Sequence, residues 1–266
     1  MKHILIYIKN NFFVANFLLL LLCNGCNQTN TSVLTNISKD SAMMDGIYPH
    51  NHRLTFGERK GLSNKYLTQK GIPVLESLPP TDDYREASFR DQQSIASRCI
   101  ILSALVLVGR HEKTTSQAVG YFKKYNLWNE VSPKERNYLL KSLRSKDDDL
   151  NMIWKVEDVN VLLWALGEID SLTFPNKECR SADFKTIPSF GADPAKWINK
   201  ARIRNTEDIL NETDLIYRMH WATEDASLSG VAAPARLNGD VVEERHYALN
   251  WLTMYEREWD DITTDT

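Results

Sequence analysis

Apolar residues recur along this chain at spacings of three and four, the period of a helix that buries one face. No strand-like alternation of apolar and polar positions recurs. The most apolar internal segment is 90–110, RDQQSIASRCIILSALVLVGR. Ile95, Cys99, Leu102, Leu105 and Val106 share one helical face there, and Ile100, Ile101 and Val108 widen it almost all round, as in a centrally buried helix. Arg98 inside the run and its short apolar length argue against a membrane span. A second core helix is expected over 150–166, closed by Gly167. Weaker patterns predict helices over 58–70, over 115–125, from Ser132 to about Leu143, over 195–203, and from Asn205 or Thr206 to about Ala226. Asp240 and Glu243 have the spacing of a capping box for a final long helix. The Lys-Asp-Asp-Asp run at 146–149 reads as a solvated loop or a helix N-terminus. Residues 72–80 read as extended and 168–192 as irregular. The fold class expected is all-α, or mainly α: a single multi-helix domain over 56–266, with no repeat period.

The start of the chain follows another pattern. Lys2, His3 and Lys9 precede an apolar run from Phe12 to Leu22, too short for a comfortable membrane span and suited to a secretory signal. Gly25-Cys26 resembles the cleavage site of bacterial lipoproteins, so residues 1–25 are expected to be a signal peptide and Cys26 the lipidated residue. Cys23 is the alternative. Residues 26–55, rich in Asn, Thr and Ser, read as a flexible tether. The expected location is the bacterial cell envelope, at the outer membrane or periplasmic face, with the membrane as partner through the lipid anchor and a protein as a further possible partner. A net charge of −3, without long blocks of one sign, gives no basic footprint for nucleic acid. Cys99 falls in an apolar run and Cys179 in a polar loop; outside the cytoplasm they are free to pair or to stay apart.

Polar groups are concentrated in the last two helical segments. Arg218, His220 and Trp221 stand in one; Glu244, Arg245, His246, Asn250 and Trp251 stand in the other; Asp260, Asp261 and Asp265 follow. Helical spacing part-buries Arg245, His246 and Asn250, and buried polar groups need partners. Two readings follow. One is a polar network that fixes the packing of the two helices and the tail. The other is a site, in which His220 or His246 with Glu244 or Asp261 does acid–base work and Arg218, Trp221, Arg245, Asn250, Trp251, Asp260 and Asp265 bind a ligand. No spacing of the HExxH kind supports a metal, His50 and His52 read as solvated loop residues, and no cofactor is expected. Nucleophile-elbow and phosphate-loop motifs are absent.

The blocks GIPVLESLPP, VNVLLWALGEID, ILNETDLIYRMHWATEDA and VVEERHYALNWLTMYEREWDDITTDT resemble a bacterial family, domain of unknown function 4272, over residues 56–266. The resemblance implies no established activity and carries over no catalytic residue. The lipoprotein-like start is a departure from that family. The function expected is a lipid-anchored envelope protein, a protein-binding or immunity-like module; the alternative is a hydrolase or transferase using the His/Arg/Asp cluster.

Overall fold

The computed structural model describes residues 46–49, 53–180 and 184–266. Among them lie eight α-helices and no strand: α1 (Phe56–Gln69), α2 (Gln92–Gly109), α3 (Thr115–Lys124), α4 (Pro133–Leu140), α5 (Lys146–Ala165), α6 (Ala195–Lys200), α7 (Thr206–Leu228) and α8 (Gly239–Leu252). The signal segment, Cys26, most of the tether, His50 and His52 fall outside the described residues.

Local chemistry sets where the helices begin. Thr55, Thr114, Ser132 and Ser145 each accept the N3 backbone N–H, while the N3 side chain (Glu58, Gln117, Glu135, Asp148) returns to the cap N–H. The reciprocal box at Ser145 places Asp147, Asp148 and Asp149 in the first turn of α5, where the helix dipole favours negative charge. The charged run is therefore a helix start. Because α5 begins so early, α4 stops at Leu140: Lys141 turns extended at ψ 126°, and Leu143 is left exposed. The cap of α8 also differs from expectation. Asn238, not Asp240, is extended, and its Oδ1 accepts from the N–H groups of Asp240 and Val241. Asp240 becomes a first-turn acid.

Helix α2 is the centre, and it packs most extensively on α5; α5 packs on α8, α8 on α7, and α7 on α1, with α3 and α6 also against α2. Ile95, Cys99, Leu102 and Leu105 are fully buried from α2, as are Leu162 and Leu163 from α5. Arg98 is tolerated in the core helix because its guanidinium takes both Glu135 carboxylate oxygens at 2.8 Å and the Glu130 carbonyl at 2.6 Å. One pairing of α2 requires a glycine: a Cβ on Gly109 would stand 2.7 Å from the Asp149 carbonyl oxygen, with Ile153 and Met152 close behind. Cys99 and Cys179 are both free thiols. Tyr48 and Leu54, within the stretch read as tether, are buried, and the Tyr48 hydroxyl meets Ser63 Oγ at 2.8 Å.

Two glycine substitutions should therefore move stability in opposite directions. Gly109→Ala forces backbone apart and should cost about 1–3 kcal/mol. Gly120→Ala, on an α3 position where an added Cβ meets nothing within 4 Å, should gain about 0.5–1 kcal/mol. Urea unfolding midpoints of the two variants check the pair.

Candidate functional site

Helices α7 and α8 pack side by side and each carries a histidine into the shared seam. His220 Nδ1 and His246 Nδ1 are 3.0 Å apart, and the rings meet edge-on at 71°. Both are buried, at 3% and 2% exposure. Burial, with the neighbouring His220 adding to it, pushes His246 down to about 3, and burial also lowers His220, against the Glu224 charge. The pair is therefore neutral at ordinary pH, and a single proton lies between the two Nδ1 atoms. The Glu224 carboxylate lies 3.7 Å from His220 Nε2. One ring donates and the other accepts across the contact, and the His246 nitrogen outside it is Nε2.

His246 lines a cavity of about 290 Å³. Its walls are the loop after α1 (Pro79, Pro80, Thr81, Asp82), α7 (Leu210, Thr213, Tyr217), α8 (His246, Asn250, Thr253) and the tail (Tyr255, Asp265). The Tyr217 ring lies 5.5 Å from the His246 ring. Asn250 Nδ2 donates to the Thr263 carbonyl at 2.9 Å, and Thr263 Oγ1 donates to Asp265 at 2.9 Å, which holds the tail against α8. The opposite wall is held from α1: Arg59, fully buried, donates to the Asp82 carbonyl at 3.0 Å and to Asn211 Oδ1 at 3.0 Å.

Most of the other polar and aromatic residues singled out in the sequence are distributed away from this cavity. Arg218 stands behind its wall: it binds Asp214 through two bonds of 2.9 and 2.7 Å, donates to the Pro79 carbonyl at 3.4 Å and lies 6.0 Å from the Tyr217 ring centre. Arg245 binds Glu157 on α5 at 3.0 Å and the Thr173 carbonyl at 2.6 Å. Neither guanidinium lines the cavity. Glu212 is buried near Arg245 with neither carboxylate oxygen partnered among the described residues, and burial raises it to about 7. Glu244 pairs with Lys155 at 2.7 Å, next to the buried Asp158, whose proton affinity burial raises strongly. Trp221 packs half-buried on the core, and Trp251 is stacked under Arg90, 4.7 Å from its ring centre, with Trp259 at its edge. Asp260 accepts from the Lys134 backbone N–H at 2.8 Å, and Asp261 is exposed. The structure thus brings together His220, His246, Asn250 and Asp265, sets Arg218 behind the cavity wall, and separates them from Arg245, Glu244, Trp251, Asp260 and Asp261.

Asp82, Thr213, Tyr217 and Tyr255 were missed as site residues. Tyr217 and Thr213 stand three and seven positions before His220, which places them near its face of α7. Nothing local to Pro79-Pro80-Thr81-Asp82 marks it as a cavity wall. Glu157 was missed as the partner of Arg245 because α5 is far away in sequence.

The depressed histidine has a consequence for stability. Above about pH 6.5 His246 is neutral in both native and unfolded chains. As pH falls toward about 3, the unfolded chain takes a proton that the native form refuses, so stability is lost. Wild type should lose about 2 kcal/mol more than His246→Gln between pH 6.5 and 5. Urea midpoints across that range measure the difference; equal slopes would mean that the native seam accepts the proton.

The family model described as Domain of unknown function (DUF4272) matches residues 59–262. That interval contains all eight helices but the first three residues of α1, and it bears out the resemblance carried by the closing blocks. No curated protein and no solved structure matches the chain.

Proposed function

We propose that this chain, which belongs to the DUF4272 family, is a binding module that uses the His246 cavity to hold an alkylammonium group. The observation that carries this reading is the charge of the cavity lining. Asp82 and Asp265 supply carboxylates, His246, in this reading the donor to His220, offers a neutral ring with a lone pair on Nε2, and among the described lining residues there is no lysine or arginine. Tyr217 and Tyr255 add ring faces, which attract cations. The volume stands at the small end of ligand sites, which suits one short group rather than a cofactor. Proton transfer is the weaker reading for the same histidine. A general base works best with a pKa near the operating pH, and His246 is pushed to about 3. As a fixed acceptor it loses nothing by that shift. In a protein-binding module, the bearer of such a group is a lysine side chain of the partner.

Calorimetric titration with n-butylammonium chloride tests the reading. Saturable binding is expected with butylammonium and none with butyrate. Asp265→Asn should weaken it up to about 5-fold, since this carboxylate is exposed and screened. Butyrate binding as well as butylammonium does would overturn the proposal.

We further propose that the module works at the bacterial envelope, held by lipid on Cys26. Support comes from the basic residues Lys2 and Lys9, the apolar run Phe12–Leu22 and the Gly25-Cys26 pair. Labelling of expressing bacteria with palmitate should mark the full chain and place it in the membrane fraction, and Cys26→Ser should abolish both. An unlabelled wild-type chain, or label that survives in Cys26→Ser and disappears in Cys23→Ser, would refute the assignment to Cys26.

A further inference from the structure

Two arginines in distant parts of the chain make the same set of bonds. Arg90 stands immediately before Asp91, the N-cap of α2, and Arg204 immediately before Asn205, the N-cap of α7. Arg90 donates its backbone N–H to the Leu252 carbonyl at 3.0 Å and Nε to the Trp251 carbonyl at 3.0 Å, and its Nη2 reaches the Glu256 and Arg257 carbonyls. Arg204 donates its backbone N–H to the Ala165 carbonyl at 2.7 Å and Nε to the Trp164 carbonyl at 2.8 Å, and its Nη2 reaches the Ile169 and Asp170 carbonyls. Each guanidinium also lies over the ring of its tryptophan, at 4.7 Å for Trp251 and 4.8 Å for Trp164. Helices α8 and α5 end alike beneath these arginines. The third residue after each tryptophan, Met254 and Gly167, is left-handed, at φ 59° and 71°. A cation on the last carbonyls of a helix is common, and so is a left-handed end. Isolated caps do not require the same register from a tryptophan on one side and an N-cap on the other.

The correspondence runs along the helices. Counted from the arginines, Ile95, Leu102 and Leu105 of α2 match Ile209, Ile216 and Met219 of α7, and all of these are fully buried. Counted from the tryptophans, Glu157 of α5 matches Glu244 of α8. Each glutamate takes a cation from the opposite helix: Glu157 from Arg245 at 3.0 Å, Glu244 from Lys155 at 2.7 Å. The bonds are therefore reciprocal. Helix α2 is clasped to the end of α8 and α7 to the end of α5, as in an isologous two-fold interface. The connections inside the two pairs differ, which hides any period in the sequence. Helices α3 and α4 lie between α2 and α5, and only a loop with one short 3-10 turn lies between α7 and α8.

We propose that this domain is an internal duplication. The pair α2 and α5 and the pair α7 and α8 are two copies of one unit, joined by two exchanged arginine clasps. The correspondence reaches the His246 cavity. Its residues Tyr217 and His246 match Ser103 and Val159, which line a second cavity, of about 340 Å³, beside α2 and α5. Positions 217 and 246 are thus where the second unit departs from the first to give its cavity a polar lining.

Thermal unfolding of full-chain variants tests the duplication. Arg90→Lys and Arg204→Lys keep the charge and lose the planar fork. Each should lower the midpoint by about 5 °C, in equal measure. Transfer of one unit's helix end to the other tests the register. Thr253→Leu, Met254→Gly, Tyr255→Glu, Glu256→Ile and Arg257→Asp together place the residues of Leu166–Asp170 after Trp251. The exchanged chain should unfold within about 3 °C of wild type, and Arg90→Lys made in it should still lose about 5 °C. The same five residues in reverse order put isoleucine at the left-handed position and should lower the midpoint by about 8 °C. An arginine whose replacement leaves the midpoint unchanged would overturn the proposal. So would an exchanged chain that loses as much as the reversed one, or one in which Arg90→Lys has no effect.

Discussion

A fully buried carboxylate, Asp214, holds together the end of this protein that contains the His246 cavity. It takes two bonds from Arg218, one of 2.5 Å from Ser63 Oγ and one of 3.3 Å from Thr81 Oγ1. The Tyr48 hydroxyl meets Ser63 Oγ at 2.8 Å, so the residues before α1 join the same chain of bonds. One anion thereby connects α1, the Pro79–Asp82 wall and α7. An unpaired carboxylate at this depth would be severely penalised, and the network satisfies it with a full counter-charge and two hydroxyls. The pair is not evidence of large net stability. Its effect is geometric, since Thr81 Oγ1 ties the wall of the His246 cavity to Asp214 on α7.

The helices were legible in the chain because their signals are local. Capping boxes at Ser132 and Ser145, apolar spacing in 90–110 and the closing glycine at 167 act over a few residues, so reading them needs no knowledge of the tertiary fold. Boundaries slipped where two local signals compete over a short connection, as between α4 and α5, or where two cap residues stand two apart, as at Asn238 and Asp240. The polar seam was legible as a seam, since its polar groups sit within an apolar pattern. Its pairing was not. Arg245 was expected to need a partner, and the one it finds is Glu157 on α5. Helix-to-helix partners across 88 positions are set by packing, which sequence spacing does not encode.

The seam also divides its charged groups in a way that composition hides. The arginines face inward to buried carboxylates, while His246 and Asp265 face the cavity. A cluster that reads in sequence as one mixed-charge site is in space two structural ion pairs and one cavity with a negative rim. The packing network and the cavity thus draw mainly on different residues of the same two helices.

The contact between the two histidines bears on how such a cavity changes over evolution. His246 meets another imidazole across the seam, at 3.0 Å between Nδ1 atoms. One of the two must donate and the other accept, so a substitution at 220 changes what position 246 has to supply. Two positions on different helices are thus under a single constraint, and drift at one is paced by the other.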